Sequence, residues 1–298
     1  MGKIAIVGTG AVGGYYGALL AHHGLDIHFL LRSDYLAARD QGFTIRRKEG
    51  ELVLSVQAYN CPKDIGPCDL VIITLKSTAN HVLKELLDPL IADHTMLLTL
   101  QNGLGNVELL GKLHPRNHIA GGLCFVCINR VAPATYENYF SGYIEMGEDR
   151  GSPTPELREI VNWFQAAVSD CSIVDSLQEA LWRKLCWNIP FNGLAIAAGG
   201  ITTDKILANP ALVDRAWKLM REIQAATPHP IPDNFLQLQF ANTHPMGPYR
   251  PSSLIDFQAG KPVEVEAIWG NPLREGQSRN IPMPELQKLY GELKTTCQ

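Results

Sequence analysis

The chain has 298 residues, 46% of them hydrophobic and 19% charged, which suits one large domain or two ordinary ones around a sizeable core. Its 26 basic and 30 acidic side chains leave a net charge of −4 and no long basic run, so nucleic acid is not an expected partner. No apolar run reaches the roughly 18 residues of a membrane span, and a first strand that already begins at Lys3 leaves no room for a leader, so neither membrane nor export is expected.

The first apolar run, Ile4–Val7, reads as a buried parallel strand. Gly8-Thr9-Gly10-Ala11-Val12-Gly13 follows it and opens a helix rich in small residues, namely Gly14, Gly17, Ala18 and Ala21. Such a G-x-G-x-x-G is a dinucleotide-binding turn. Its first glycine allows the tight turn, its second lets backbone approach a pyrophosphate, and its third lets helix and strand pack closely. The spacing alone is weak, but its place after a strand and before a helix is the expected context.

A second strand at 26–31 closes the first β-α-β unit. An acidic residue after it would hold a ribose 2′-hydroxyl and favour NAD. Here Arg32-Ser33 follows instead, a guanidinium and a hydroxyl able to hold a 2′-phosphate, with Asp34 next along. NADP is the expected cofactor, a solvated loop arginine being the plain alternative. Residues 43–60 alternate in polarity and read as a small antiparallel excursion turning at Glu49-Gly50. A buried strand at 69–75 ends in Lys76-Ser77, a helix is expected over 80–90, and a strand at 95–100 ends in Gln101-Asn102-Gly103. Ligands of open α/β sheets lie beyond the carboxyl ends of strands, so Lys76 and Asn102 are expected where cofactor and substrate meet; turn chemistry is the alternative.

Further strands are expected near 119–128 and 143–146, then a helix at 156–167 and a short strand at 171–174. The seven cysteines are odd in number and lack the spacing of a disulfide framework, which suits a reducing cytoplasm. Cys124-x-x-Cys127 lies within a predicted strand with no partner cluster, so it reads as core packing, and no metal site is assigned.

From Ser176 the pattern turns helical. Ser176-Leu-Gln-Glu179 is a capping box, and the helix it starts places Glu179 and Arg183 on its outer face. Lys184 falls on the apolar side, with Asn188 and Asn192 in line at i+4 and i+8. A lysine there is costly without a purpose, a snorkelling stem being the alternative. Pro190 predicts a kink. Helices near 204–208 and 211–226 follow, then a stiff loop at 227–233, whose His229 is expected to be exposed and inert. Pro251-Ser252-Ser253 leads toward Glu264, which sits at the margin of an apolar face of Val265, Ile268 and Trp269. A carboxylate near a core needs a cation, and Lys184 is the candidate.

Together these motifs resemble the ketopantoate reductase (2-dehydropantoate 2-reductase) family over essentially the whole chain. The resemblance rests on the glycine motif with Arg32, Leu75-Lys76, Gln101-Asn102-Gly103, Trp182-Arg183-Lys184-Leu185-x-x-Asn188-x-x-x-Asn192, and Ser252-Ser253 followed by Glu264. It implies an α/β protein, with an N-terminal Rossmann-type doubly wound sheet over 1–175 that binds NADP. A C-terminal all-helical domain over 176–298 would hold substrate and catalysis. It implies NADPH-dependent reduction of 2-dehydropantoate to pantoate in pantothenate and coenzyme A biosynthesis. Lys184 would donate the proton, Asn188, Asn192 and Ser253 would bind substrate carboxylate and hydroxyl, and Lys76, Asn102 and Glu264 would contact cofactor or organise the site. The family's Ser-Met-Leu-Gln-Asp is Ser-Leu-Ile-Asp here, one residue shorter, so the register of Ser252 and Ser253 stays open. Its Thr-Glu is Val263-Glu264, and Thr202 stands near where some members carry a further asparagine. Reduction of another 2-oxo acid, or a non-catalytic NADP-binding sensor, are the competing readings, and a homodimer is left open.

Overall fold

The structure is a computed structural model that describes residues 2–168 and 170–297. The chain divides into two compact units, Met1–Gln101 with Asn106–Leu177, and Asn102–Gly105 with Gln178–Gln298.

The first unit is built on a ten-stranded mixed sheet. Its opening β-α-β comprises β1 (Ile4–Val7), α1 (Ala11–His22) and β2 (Ile27–Leu30), and α2 (Tyr35–Gln41) follows. The hairpin β3 (Phe43–Arg47) and β4 (Gly50–Leu54) pairs antiparallel, as the alternation of polarity predicts. Residues 57–60 depart from that expectation. Gln57–Tyr59 forms β5, which leaves the hairpin and pairs parallel to β2. Three residues of mixed polarity carry no pattern that could have announced this.

The chain continues through α3 (Pro62–Ile65), β6 (Leu70–Ile73), a 3₁₀ turn at Ser77–Val82, α4 (Leu83–Leu87), β7 (Met96–Thr99) and α5 (Asn106–Leu113). The helix expected over 80–90 is thus a short α-helix between two 3₁₀ turns. The strands β8 (His118–Ala132) and β9 (Thr135–Glu148) form a hairpin much longer than the sequence suggests. Then come α6 (Pro155–Val168) and β10 (Cys171–Ile173), which lies along β9.

Sheet order is β4-β3-β9-β8-β7-β6-β1-β2-β5, and β5, β2, β1, β6, β7 and β8 all run parallel. Counted in chain order, those six strands follow the 3-2-1-4-5-6 arrangement of the dinucleotide-binding fold, whose switch point lies between β1 and β6. Strands β1, β2, β6 and β7 are buried on both faces, which explains their unbroken apolar runs. The predicted α/β fold with a Rossmann-type sheet is therefore observed.

The second unit is helical: α7 (Leu177–Ala197), α8 (Thr203–Leu207), α9 (Pro210–Ala226), α10 (Asp233–Thr243), α11 (Ser252–Gln258), α12 (Asn271–Ser278) and α13 (Pro284–Thr296). The predicted pair between Arg183 and Glu179 is present at 2.7 Å. The helix α7 does not end at Pro190. Every residue from Leu185 to Ile196 is buried, and that packing outweighs the roughly 3 kcal/mol an internal proline costs. Side chains tie the helices end to side. Glu222 of α9 accepts the backbone N–H groups of Glu285 and Leu286, both at 2.8 Å, and so caps α13. The Trp269 indole donates to the Ile189 carbonyl at 3.0 Å.

None of the seven cysteines is in a disulfide. Burial pushes Cys68 up to about 11 and Cys171 and Cys186 up to about 12, so these stay protonated at neutral pH.

Candidate active site

In the first unit the glycine turn does what each glycine position requires. Gly8 has φ +99°, and a Cβ there would lie 2.3 Å from the Leu75 backbone nitrogen. A Cβ on Gly13 would meet Thr74 Oγ1 at 2.2 Å, so this glycine sets the close approach of α1 to the sheet. Gly10 faces open space, where a Cβ would meet only the Gly8 carbonyl oxygen at 3.9 Å. It is also the N-cap of α1 and brings no side chain to the helix terminus. The first-turn N–H groups of Ala11, Val12 and Gly13 have no intrahelical partner in such a helix. The cradle therefore fits a dinucleotide pyrophosphate. Thr9 donates its hydroxyl to the Leu30 carbonyl at 2.9 Å, which pins the loop to the end of β2. Arg32 and Ser33 are exposed just beyond β2, whereas Asp34 is buried.

Gln101 governs the neighbouring strand ends. Its amide nitrogen donates to the Leu75 carbonyl and to Asn80 Oδ1, both at 2.9 Å, and its amide oxygen accepts from Thr99 Oγ1 at 3.0 Å. Lys76, exposed and next after Leu75, is thus held by its backbone neighbour.

In the second unit, Asn102–Gly105 lies along a π-helical turn, Glu266–Gly270, that precedes α12. The Leu104 N–H donates to the Ala267 carbonyl at 2.9 Å, and the Asn271 amide donates to the Leu104 carbonyl at 2.6 Å. Gly103 has φ +84°, and a Cβ there would stand 2.2 Å from the Ala267 carbonyl oxygen. Such π turns recur at functional sites. The effect here is to present Asn102, whose Oδ1 accepts a hydrogen bond from Lys184 Nζ at 2.6 Å.

Lys184 is half-buried on α7, and Asn188 and Asn192 follow it at four-residue spacing, 7% and 1% exposed. Asn188 has no side-chain hydrogen bond among the described residues. Asn192 is partly committed to structure. Its Oδ1 accepts the Ser253 N–H at 2.9 Å, supplying the cap that Pro251 cannot give to α11. Ser253 is buried and Ser252 exposed at that helix start. Glu264 is buried at 4% and stands two residues before the π-helical stretch.

Comparison with known proteins bears on this arrangement. Residues 4–151 match the family model described as ketopantoate reductase PanE/ApbA, and residues 176–296 match that of its C-terminal domain. A 2-dehydropantoate 2-reductase of Nostoc sp. is 39% identical over 301 residues, which is 98% of this chain and 94% of the relative. The chain belongs to the ketopantoate reductase family. As a ketopantoate reductase family member it is an oxidoreductase, and its backbone follows a solved relative. The crystal structure of a 2-dehydropantoate 2-reductase from Geobacter metallireducens aligns with a TM-score of 0.94 at 40% identity, covering 98% of this chain and 99% of that one. A D-mandelate dehydrogenase in ternary complex with NADH and anilino(oxo)acetate shares the fold, with a TM-score of 0.88 at 19% identity over 99% and 97% of the two chains.

Sequence reasoning passed over the roles of Gln101, Thr74 and Arg130 in this ketopantoate reductase family chain. Gln101 belongs to the Gln101-Asn102-Gly103 motif and Thr74 adjoins Leu75-Lys76, so both could have been suspected. Arg130 carries no local signal.

Proposed function

We propose that this chain reduces 2-dehydropantoate to pantoate with NADPH, in pantothenate and coenzyme A biosynthesis in the cytoplasm. The observation that carries the reading is the Lys184 ammonium, held 2.6 Å from Asn102 Oδ1 on the same side of α7 as Asn188, a residue 7% exposed whose amide has no hydrogen bond among the described residues. An amide without a protein partner is a group a ligand can satisfy. Residues 1–175 bind the dinucleotide, with Gly8 to Gly13 at the pyrophosphate, Arg32 at the 2′-phosphate and Lys76 nearby. Residues 176–298, with Asn102, bind substrate and carry the proton chemistry.

When bound, NADPH supplies a hydride for the 2-keto carbon. Lys184 Nζ stabilises the charge that develops on the ketone oxygen and gives it a proton, together worth about 10²–10⁴ in rate. Asn102 orients the ammonium, and the buried Glu264 carboxylate balances its charge. Asn188 binds substrate oxygens. Asn192, its oxygen spent on Ser253, acts through its amide N–H groups, beside whichever of Ser252 and Ser253 faces the substrate.

A different 2-oxo acid is the second reading, because the same fold is carried by a D-mandelate dehydrogenase and a fold does not fix its substrate. Loss of NADPH absorbance, followed with 2-dehydropantoate and a panel of 2-oxo acids, tests both. The expected result is a kcat/KM for 2-dehydropantoate more than about tenfold above any other. A better substrate within the panel would select the second reading, and turnover of none would remove the enzymatic one.

A further inference from the structure

The long β8–β9 hairpin returns over the dinucleotide-binding half of the first unit. Its tip joins β3, where Thr44 N–H donates to the Ala134 carbonyl at 3.0 Å and Ile45 pairs with Tyr136. The Tyr136 ring lies against Gly14, where a Cβ would come within 2.1 Å of it. This path carries Arg130 to Asp34, just beyond β2 and 96 residues earlier in the chain. Its Nη1 donates to Asp34 Oδ1 at 2.9 Å and to Ser33 Oγ at 3.3 Å.

Asp34 is the one acidic residue here that could compete for a ribose hydroxyl, and the hairpin takes it out of play. Ser33 Oγ donates to its Oδ1 at 2.8 Å and the Ala134 N–H to its Oδ2 at 3.1 Å. Its side chain is 7% exposed, and three of roughly four lone-pair sites are occupied. Ala134 reaches it with φ +53°, a conformation rare for a residue with a Cβ. The Arg130 side chain, by contrast, is 33% exposed, and no described residue engages its other donors. Arg32 is exposed on the same loop.

We infer that Arg130 is a second specificity determinant for the 2′-phosphate of an adenine dinucleotide. It neutralises Asp34, which would otherwise repel a dianion, and it turns its outer guanidinium edge to that phosphate beside Ser33 and Arg32. A planar guanidinium suits phosphate oxygens because it offers paired, charge-assisted donors. The inference rests on the NADPH reading above.

The test is titration of NADPH, NADH, adenosine 2′,5′-bisphosphate and adenosine 5′-monophosphate into full-length wild type, Arg32→Ala, Arg130→Gln and Arg130→Lys. Arg130→Gln should weaken NADPH and the bisphosphate by about tenfold while changing NADH and the monophosphate by less than about twofold. Arg130→Lys, which keeps the charge on Asp34 and loses the fork, should fall between wild type and Arg130→Gln for the phosphorylated ligands only. It serves if the glutamine variant fails to fold. Equal weakening of all four ligands would show a merely structural hairpin contact and overturn the inference. So would an NADPH preference that Arg32→Ala abolishes and both Arg130 variants retain, with the NADPH reading left standing. A wild type that binds NADPH and NADH alike would remove that reading and this inference together.

Discussion

Lys184 is a residue whose surroundings matter more than its burial. The residue is half-buried and its ammonium is hydrogen-bonded to Asn102, so it is held in place on a side chain that is not fully sealed from solvent. Lys184→Ala should lower kcat by about 10²-fold or more and leave NADPH affinity nearly unchanged, since the glycine cradle belongs to the other unit. Steady-state kinetics with a parallel NADPH titration checks this. Near-wild-type kcat would pass the role to Lys76. The line of Lys184, Asn188 and Asn192 was legible because helical periodicity fixes which residues share a face. The partner of Lys184 was not, because Asn102 lies 82 residues away and no periodicity spans that gap.

At the scale of elements, two devices invite substitution. Gly103 is committed twice, by φ +84° and by the Ala267 carbonyl at its α-carbon. Gly103→Ala should shift the segment that presents Asn102, and displacements of order 1 Å can cost about 10²-fold in rate. Gly24 has φ +94° but nothing near its α-carbon, so Gly24→Ala should cost about 1–2 kcal/mol of stability through backbone strain alone and leave kcat untouched. Comparing kcat and Tm of the two variants separates clash from strain. The second device is the cap that Glu222 gives α13. Burial holds the Glu222 carboxyl above its ordinary value, although the two N–H bonds it accepts pull the other way. A carboxyl raised on folding favours the folded state while protonated, and that contribution is lost as pH rises through its folded value. Glu222→Gln removes the titration at the loss of one acceptor. Its Tm relative to wild type should therefore improve as pH is raised from about 4 to about 7; a difference that stays flat or worsens would show no such linkage.

Legibility also followed element type. The strands β1, β2, β6 and β7 were plain because burial on both faces leaves continuous apolar runs. The outer halves of β8 and β9 were not. Val131, Tyr139 and Phe140 are apolar yet exposed there, so polarity no longer marks the face. Helix α2 has only seven residues and β5 three, too few for a period to show.

At the scale of the whole molecule there are two apolar cores, one around the sheet and one around α7. Pattern alone divides the sequence once, near residue 175. The contacts divide it three times, because Asn102–Gly105 leaves the first unit and rejoins it four residues later. That detour has a consequence for recombination. A chimera made by joining the first 175 residues of one family member to the remainder of another inherits this segment from the wrong parent. Where the parents differ at Leu104, Ala267 or Asn271, such a hybrid should melt lower and turn over more slowly than one in which residues 102–105 are transplanted along with the carboxyl-terminal half. Equal Tm and kcat for the two hybrids would mean that the segment tolerates a foreign host. The inheritable module is therefore discontinuous in the gene, a long tail together with a four-codon island far upstream of it.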